Sequence, residues 1–405
     1  MKLFDASKTE KINSKYFVVF VKIFLLYVFL EYVLLSLSNS STITNIIKLF
    51  GDCIILVFFV FTLTKLKSIK LYHGQRLYIL LAFVILAFVS TIKNDLGFID
   101  LFLGIRSLFR YYIIFFLSYY YDIHLNDFKK ISNFMIKSFY IEIILFTINY
   151  LLFNTINVLD VGYLPMAIYL NTVFSLMLYD NKFNLKNNII IVLLFVQAFL
   201  STSRLAVVGI IIQSMIYFLF IWKKSVKTKA ITIFIIIIFA IMIFNFGPIT
   251  NKITSSYSYN KLENTNFNPD SNFRVYLLTH FTEVSIQKTN LIGDGPNTFG
   301  SPEYHEDYLY AQGFDDRTIA YSSDSNYTVL LMCYGFIGLF LYYLLLYLLY
   351  SGTLPIYKTF LLPYLCFIVL ASFTLPAFSM RISSFLMFTF FALTHNIVEI
   401  NHESS

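Results

Sequence analysis

The chain has 405 residues, 58% of them hydrophobic and only 13% charged, and its mean hydropathy is +0.70. A soluble protein of that length needs far more charge to keep its surface wet, so a soluble globular class is excluded. The net charge of +7 does not point to nucleic acid, because the lysines sit in short connections between apolar blocks, where membrane topology uses them.

Lys2, Lys8, Lys11 and Lys15 precede a long apolar run with no small-residue cleavage site, which reads as an uncleaved first span. Apolar blocks of roughly 16–25 residues then recur, each long enough to cross the hydrocarbon of a bilayer. They predict an all-α polytopic membrane protein with about twelve transmembrane helices, over 16–37, 43–64, 77–92, 98–120, 133–153, 163–180, 189–203, 205–222, 230–246, 326–350, 359–375 and 382–398. With the N-terminus inside, the cytoplasmic connections together with the N-terminal tail hold more than half of the 30 Lys and Arg, and the short outer ones hold only Lys93, Arg204 and Arg381. Both termini are therefore expected in the cytoplasm. The polar segment 247–323, between helices nine and ten, is expected to be one large extracytoplasmic loop. No repeat or linker divides the chain, so 1–405 reads as a single membrane domain.

Charges inside apolar spans cost free energy and need a reason. Lys48 and Asp52 are four apart and suited to pair with each other. Arg106 and Arg110 put two like charges on one face of the fourth span. Either Glu142 of the next span neutralises one of them, or an anion binds there. Arg204 follows Ser203 at the outer edge, where a guanidinium either forks onto phosphate oxygens or snorkels to lipid headgroups. In the polar segment, Phe273, Leu277, Phe281 and Val284 predict an amphipathic helix over 272–288. It would carry Arg274, and would place His280 and Glu283 three apart on one face, a spacing suited to an acid/base pair. Gly293-Asp294-Gly295-Pro296 is turn chemistry. Glu303, His305, Glu306 and Asp307 read as a solvated acidic knot. Asp324, beside Ser325 and Asn326, either caps the tenth span or acts as a general base.

Cys53, Cys333 and Cys366 lie in apolar blocks without metal-ligand spacing, so neither a disulfide framework nor a metal site is expected. There is no Walker-type loop, no dinucleotide fingerprint and no zinc spacing, and no cofactor is expected.

Two stretches carry a resemblance. Phe199-Leu200-Ser201-Thr202-Ser203-Arg204-Leu205-Ala206-Val207-Val208-Gly209 is similar to a small-residue/Ser-Arg motif. Arg274, Asn290-Leu291-Ile292-Gly293-Asp294-Gly295-Pro296-Asn297-Thr298-Phe299, Ser323-Asp324-Ser325-Asn326-Tyr327 and Tyr334-Gly335-Phe336-Ile337-Gly338-Leu339 follow in the order of a longer pattern. Together they resemble the Wzy-type O-antigen and capsular polysaccharide polymerases, which are related to the O-antigen ligases. Ligases usually have His where this chain has Asp324, and Asn326 falls one residue later than in the tightest version of that element.

The resemblance implies an inverting, metal-independent glycosyltransferase in the bacterial cytoplasmic membrane. Its donor and acceptor would both be undecaprenyl-diphosphate-linked oligosaccharides, with a chain-length regulator as a possible partner. Arg204 and Arg274 would stabilise the departing diphosphate, with Arg106 and Arg110 as helpers. Asp324 would act as base, with Glu283 and His280 behind it, and Ser203 and Asn326 would line the substrate. The alternatives are an O-antigen ligase and a flippase of lipid-linked oligosaccharide. A flippase is disfavoured by the absence of repeat-related halves and by the single lopsided loop.

Overall fold

The computed structural model describes residues 11–37, 41–66, 75–153, 163–180, 185–200, 204–222, 226, 282–287, 290–299, 325–374 and 381–402. They are mostly helical. The helices are α1 (Ser14–Leu37), α2 (Ser41–Lys65), α3 (Gln75–Lys93), α4 (Phe98–Phe109), α5 (Tyr112–Ser118), α6 (Leu125–Phe153), α7 (Tyr163–Asp180), α8 (Leu185–Leu200), α9 (Arg204–Ile216), α10 (Asn326–Ser351), α11 (Pro355–Thr374) and α12 (Arg381–His402). A π turn, Tyr217–Ile221, extends α9. One parallel pair of two-residue strands, Ile12–Asn13 and Tyr121–Asp122, departs from the all-helical expectation and ties the start of α1 to the end of α5.

Among the described residues, Gln75–Lys93, Asn326–Ser351 and Pro355–Phe373 are long and apolar enough to cross a membrane. Shorter apolar helices cover Ala167–Tyr179, Ile189–Ala198 and Leu205–Ile221. The outward faces are apolar too. On α3, Tyr78, Leu81, Ile85, Phe88 and Ile92 are exposed, while Phe83, Leu86, Ala87 and Ser90 are buried. That helical stripe is at home in lipid rather than water. The expected ninth span, 230–246, lies outside the described residues.

The fourth expected span, 98–120, is not one straight helix. It breaks at Arg110–Tyr111 into α4 and α5, which meet at 63°. No proline or glycine marks the break. It coincides with tertiary contacts instead. The Tyr111 ring packs edge-on against Phe24 of α1 (5.7 Å) and Phe385 of α12 (6.0 Å), which stack on each other at 4.2 Å.

Pairwise contacts fix the relative directions of the helices. Arg76, at the start of α3, donates from Nε to the Leu348 carbonyl near the end of α10 (3.1 Å), so these two run antiparallel. Ser325, just before α10, donates to the Ser372 carbonyl near the end of α11 (3.3 Å). Arg381, opening α12, meets Glu31 late in α1 (2.9 Å). α7 and α9 run parallel. The Asn171 amide donates to the Ala206 carbonyl (3.2 Å), and the Ser175 hydroxyl donates to Gln213 one turn further on (2.7 Å). Gly209 of α9 lies against Phe367 in the second half of α11. The starts of α4, α9, α10 and α12 and the ends of α1, α3 and α11 therefore gather at one end of the bundle, called here the upper end.

Candidate functional site

Near the upper end, a short loop is spliced into a helix. In an unbroken helix the amides of Phe336 and Ile337 would bond the carbonyls of Met332 and Cys333. In α10 both rungs are open, because Gly335 adopts φ 67°, ψ −171°. The loop 290–299 fills the gap. Asp294 N–H donates to the Met332 carbonyl (2.8 Å) and Gly295 N–H to the Cys333 carbonyl (3.0 Å). Phe336 N–H donates to Asn290 and Ile337 N–H to Leu291, both at 3.1 Å. Each missing rung is replaced by two bonds, so the break leaves none of these four backbone groups unpaired in an apolar setting.

Glycine is required on both sides of the splice. Gly293 has φ 80°, and a Cβ there would overlap the Cys333 carbonyl; a Cβ on Gly335 would overlap that of Leu291. The rest of the loop is buried against α3 and α4. The Gly293 carbonyl accepts from Ser90 Oγ (3.1 Å), and Asn297 Nδ2 donates to Asp100 Oδ1 (3.0 Å). The motif expected to be a turn of an external loop is thus part of the bundle, and the tenth expected span is a broken helix.

Beside it, α1, α2, α4 and α12 bring together three arginines and two carboxylates. Asp52 hydrogen-bonds Arg106 Nη2 through Oδ2, and its Oδ1 lies 3.2 Å from Arg110 Nε. Asp52 is therefore the carboxylate facing the α4 arginines. The expected partners, Glu142 for an arginine and Lys48 for Asp52, have side chains outside the described ones. Arg381 Nη1 donates to Glu31 (3.0 Å to Oε2) and to the Tyr27 hydroxyl (3.1 Å). Gly51 admits that guanidinium, since a Cβ there would come within 2.6 Å of Arg381 Nη1. The residue after it, Asp52, is thereby set against α4.

The Glu31–Arg381 pair is buried, with side chains 4% and 12% exposed. Removing one partner strands the other charge. Glu31→Gln is expected to cost about 3 kcal/mol, and adding Arg381→Met to restore most of it; the thermal unfolding midpoints of the two variants check this. Sequence reasoning passed over Glu31 and counted Arg381 only as a charge of an outer connection. Their signal was isolation: Glu31 is the one Lys, Arg, Asp or Glu between Lys22 and Lys48, and Arg381 the one between Lys358 and Glu399.

The other sequence-chosen residues fall as follows. Arg204 opens α9 at the upper end, and its side chain is outside the described ones. Asn326 is the first residue of α10 and is buried. Glu283 is exposed in a helical turn, 282–287, the described part of the expected 272–288 helix. Ser203, Arg274, His280 and Asp324 lie outside the described residues, as does the acidic knot 303–307. The cap of α10 is Ser325, whose hydroxyl accepts the Thr328 N–H at 3.3 Å. The role weighed for Asp324 as helix cap is thus filled by its neighbour. No group of three His, Cys, Asp or Glu suited to hold a metal occurs among the described residues.

Residues 189–343 match the family model Wzy_C, described as O-antigen ligase. The chain carries that family's domain. No curated protein matches the chain. The O-antigen ligase match includes Ser203, Arg204, Arg274, His280, Glu283, Asp324, Asn326 and both sides of the splice, so the motif resemblance and the family segment coincide. Glu31, Asp52, Arg106, Arg110 and Arg381 lie before or after it. Residues 189–343 thus carry a Wzy_C domain, in a chain with helices long and apolar enough to cross a membrane.

Proposed function

We propose that this protein is a polysaccharide polymerase of the cytoplasmic membrane. It joins oligosaccharide repeat units carried on undecaprenyl diphosphate, at the outer face of that membrane. The observation that carries the reading is the family match over 189–343, a stretch of sequence that includes Arg204, Arg274 and Asp324. On this reading the chain has about twelve spans, its termini face the cytoplasm, and the upper end faces out.

The reaction needs no metal and no cofactor. A hydroxyl of the acceptor sugar attacks the anomeric carbon of the donor from the face opposite the diphosphate. The new C–O bond forms as the bond to the diphosphate oxygen breaks, and configuration inverts. The electron pair leaves with polyprenyl diphosphate, whose growing charge Arg204 and Arg274 stabilise. The hydroxyl proton passes to the Asp324 carboxylate. Glu283 and His280, with Ser203 and Asn326, would bind sugar or order the loop around it. A ligase reading shares this chemistry and differs in the acceptor. Asp in place of the ligases' usual His at 324 favours the polymerase.

Arg204→Ala and Arg274→Ala should each abolish long polysaccharide while single repeat units accumulate on lipid. Gel profiles of surface polysaccharide and of extracted lipid-linked oligosaccharide read this directly. Normal chain lengths in both variants would remove the assignment.

A further inference from the structure

The arginine cluster divides into two unequal parts. Glu31 pairs directly with Arg381. Arg106 and Arg110 share Asp52 alone among the described side chains, so two guanidiniums face one carboxylate. Like charges one helical turn apart repel each other. Among the described side chains, three guanidiniums therefore meet two carboxylates, one positive charge more than is balanced, in a bundle whose outer surface is apolar.

The donors are also underused. Each guanidinium offers five N–H donors. Among the described residues, Arg106 makes one side-chain hydrogen bond, to Asp52. Arg110 Nε is buried and lies 3.2 Å from Asp52 Oδ1, yet no well-formed hydrogen bond satisfies it. The Arg110 guanidinium also lies 5.9 Å from the centroid of the Tyr111 ring and interacts with the Tyr111 side chain. The side chains remain reachable, 36% exposed for Arg106 and 20% for Arg110. Two forked cations with spare donors, partly open and short of negative charge, match a ligand with several anionic oxygens in one small group. A diphosphate is such a group, and guanidinium forks bind phosphate oxygens in pairs.

The position adds a second argument. Arg106 and Arg110 sit on α4, which packs on α3, while Arg204 opens α9, which packs on α7, α8 and α11. Arg106 and Arg110 lie late in α4, but Asp52, which they share, follows Gly51 against Arg381. Arg381 opens α12 at the same upper end where Arg204 opens α9. A polymerase must hold two lipid diphosphates at one membrane face. One leaves from the donor, and the other stays attached to the acceptor throughout. We propose that Arg106, Arg110 and Asp52 form a second polyprenyl-diphosphate site, which holds the acceptor's carrier lipid. Asp52 orients the two guanidiniums and limits their repulsion while the site is empty. This inference rests on the polymerase reading and deepens it, because it gives the acceptor a site of its own.

The test uses the full chain in detergent and undecaprenyl diphosphate as the probe, with bound equivalents counted by native mass spectrometry. Wild type should bind two, Arg106→Gln/Arg110→Gln one, and Arg204→Ala one. The equivalent still held by the Arg106→Gln/Arg110→Gln protein shows that it is folded. Should that variant not be obtained, Arg106→Lys/Arg110→Lys keeps the charge but loses the forks. It should weaken the second equivalent at least tenfold. Two undiminished equivalents in either variant overturn the inference and leave the role of Arg204 standing. No diphosphate bound by wild type overturns both readings. Displacement of the Arg106-dependent equivalent by equimolar phosphatidylglycerol assigns the site to a phospholipid headgroup and overturns the inference as well.

Discussion

Gly335→Ala should cost the protein most of its stability. Gly335 holds φ 67°, ψ −171°, a backbone region open essentially to glycine alone, and a side chain there carries a strain of about 1–3 kcal/mol. The added Cβ would also overlap the Leu291 carbonyl and lie 2.6 Å from Gly293 N. Relieving that contact pushes the loop 290–299 away from α10 and loosens the four hydrogen bonds that bridge the break, each worth about 1 kcal/mol. Together these approach about 5 kcal/mol, comparable to the whole stability of many domains. Gly293→Ala attacks the same splice from the other side and should behave alike. Gly97→Ala is the control, because a Cβ there meets Asp100 Oδ2 at 3.4 Å and Ile99 N at 4.0 Å, both ordinary contacts. The yield of monodisperse protein from membranes and the thermal midpoint measure the effect. A Gly335→Ala protein within 2–3 °C of wild type, a shift worth only about 1 kcal/mol in a large domain, would mean that the splice does not hold the bundle together.

Asp324→Asn should separate binding from turnover. Ser325 already caps α10 by accepting the Thr328 amide, so removing the charge at 324 leaves the helix start intact. A substitution that removes no cap and no packed group shifts stability by no more than about 0.5 kcal/mol. Loss of a general base costs about 10²–10⁴-fold in rate. The expected variant therefore folds normally, still binds the lipid diphosphate, and polymerises at a hundredth of the wild-type rate or less, about 10² being the low end of that range. In vitro extension of lipid-linked repeat units, with donor binding measured in parallel, distinguishes the outcomes. Wild-type turnover would pass the role of base to Glu283 or His280.

The two expectations differ in how visible their grounds were in the sequence. Asp324 was picked out by its place between a polar segment and an apolar span, and by the family motif around it. Gly335 was noticed only as part of that motif. Nothing local says that its carbonyl neighbours Met332 and Cys333 give up their helical partners. The partners that replace them lie some forty residues earlier in the chain, and only the folded backbone brings them together. The same holds for Asp52. By sequence spacing its natural partner is Lys48, one turn away. In the structure it faces Arg106 and Arg110, because Gly51 lets α2 approach Arg381.

The sequence by itself determined the membrane class, the helical character and the family segment 189–343. Long apolar runs have few solutions other than lipid-embedded helices, since backbone groups away from water must bond within their own segment. It also singled out Arg106 and Arg110, because an intramembrane charge is costly wherever it falls. What only the tertiary structure decided is who neutralises those charges, where α4 and α10 break, and that a Gly-Asp-Gly turn belongs to the bundle rather than to the loop around it. These depend on contacts between distant segments. Hydropathy and spacing report what each residue prefers in isolation, and a broken helix is stable only when another part of the chain supplies the bonds it has lost.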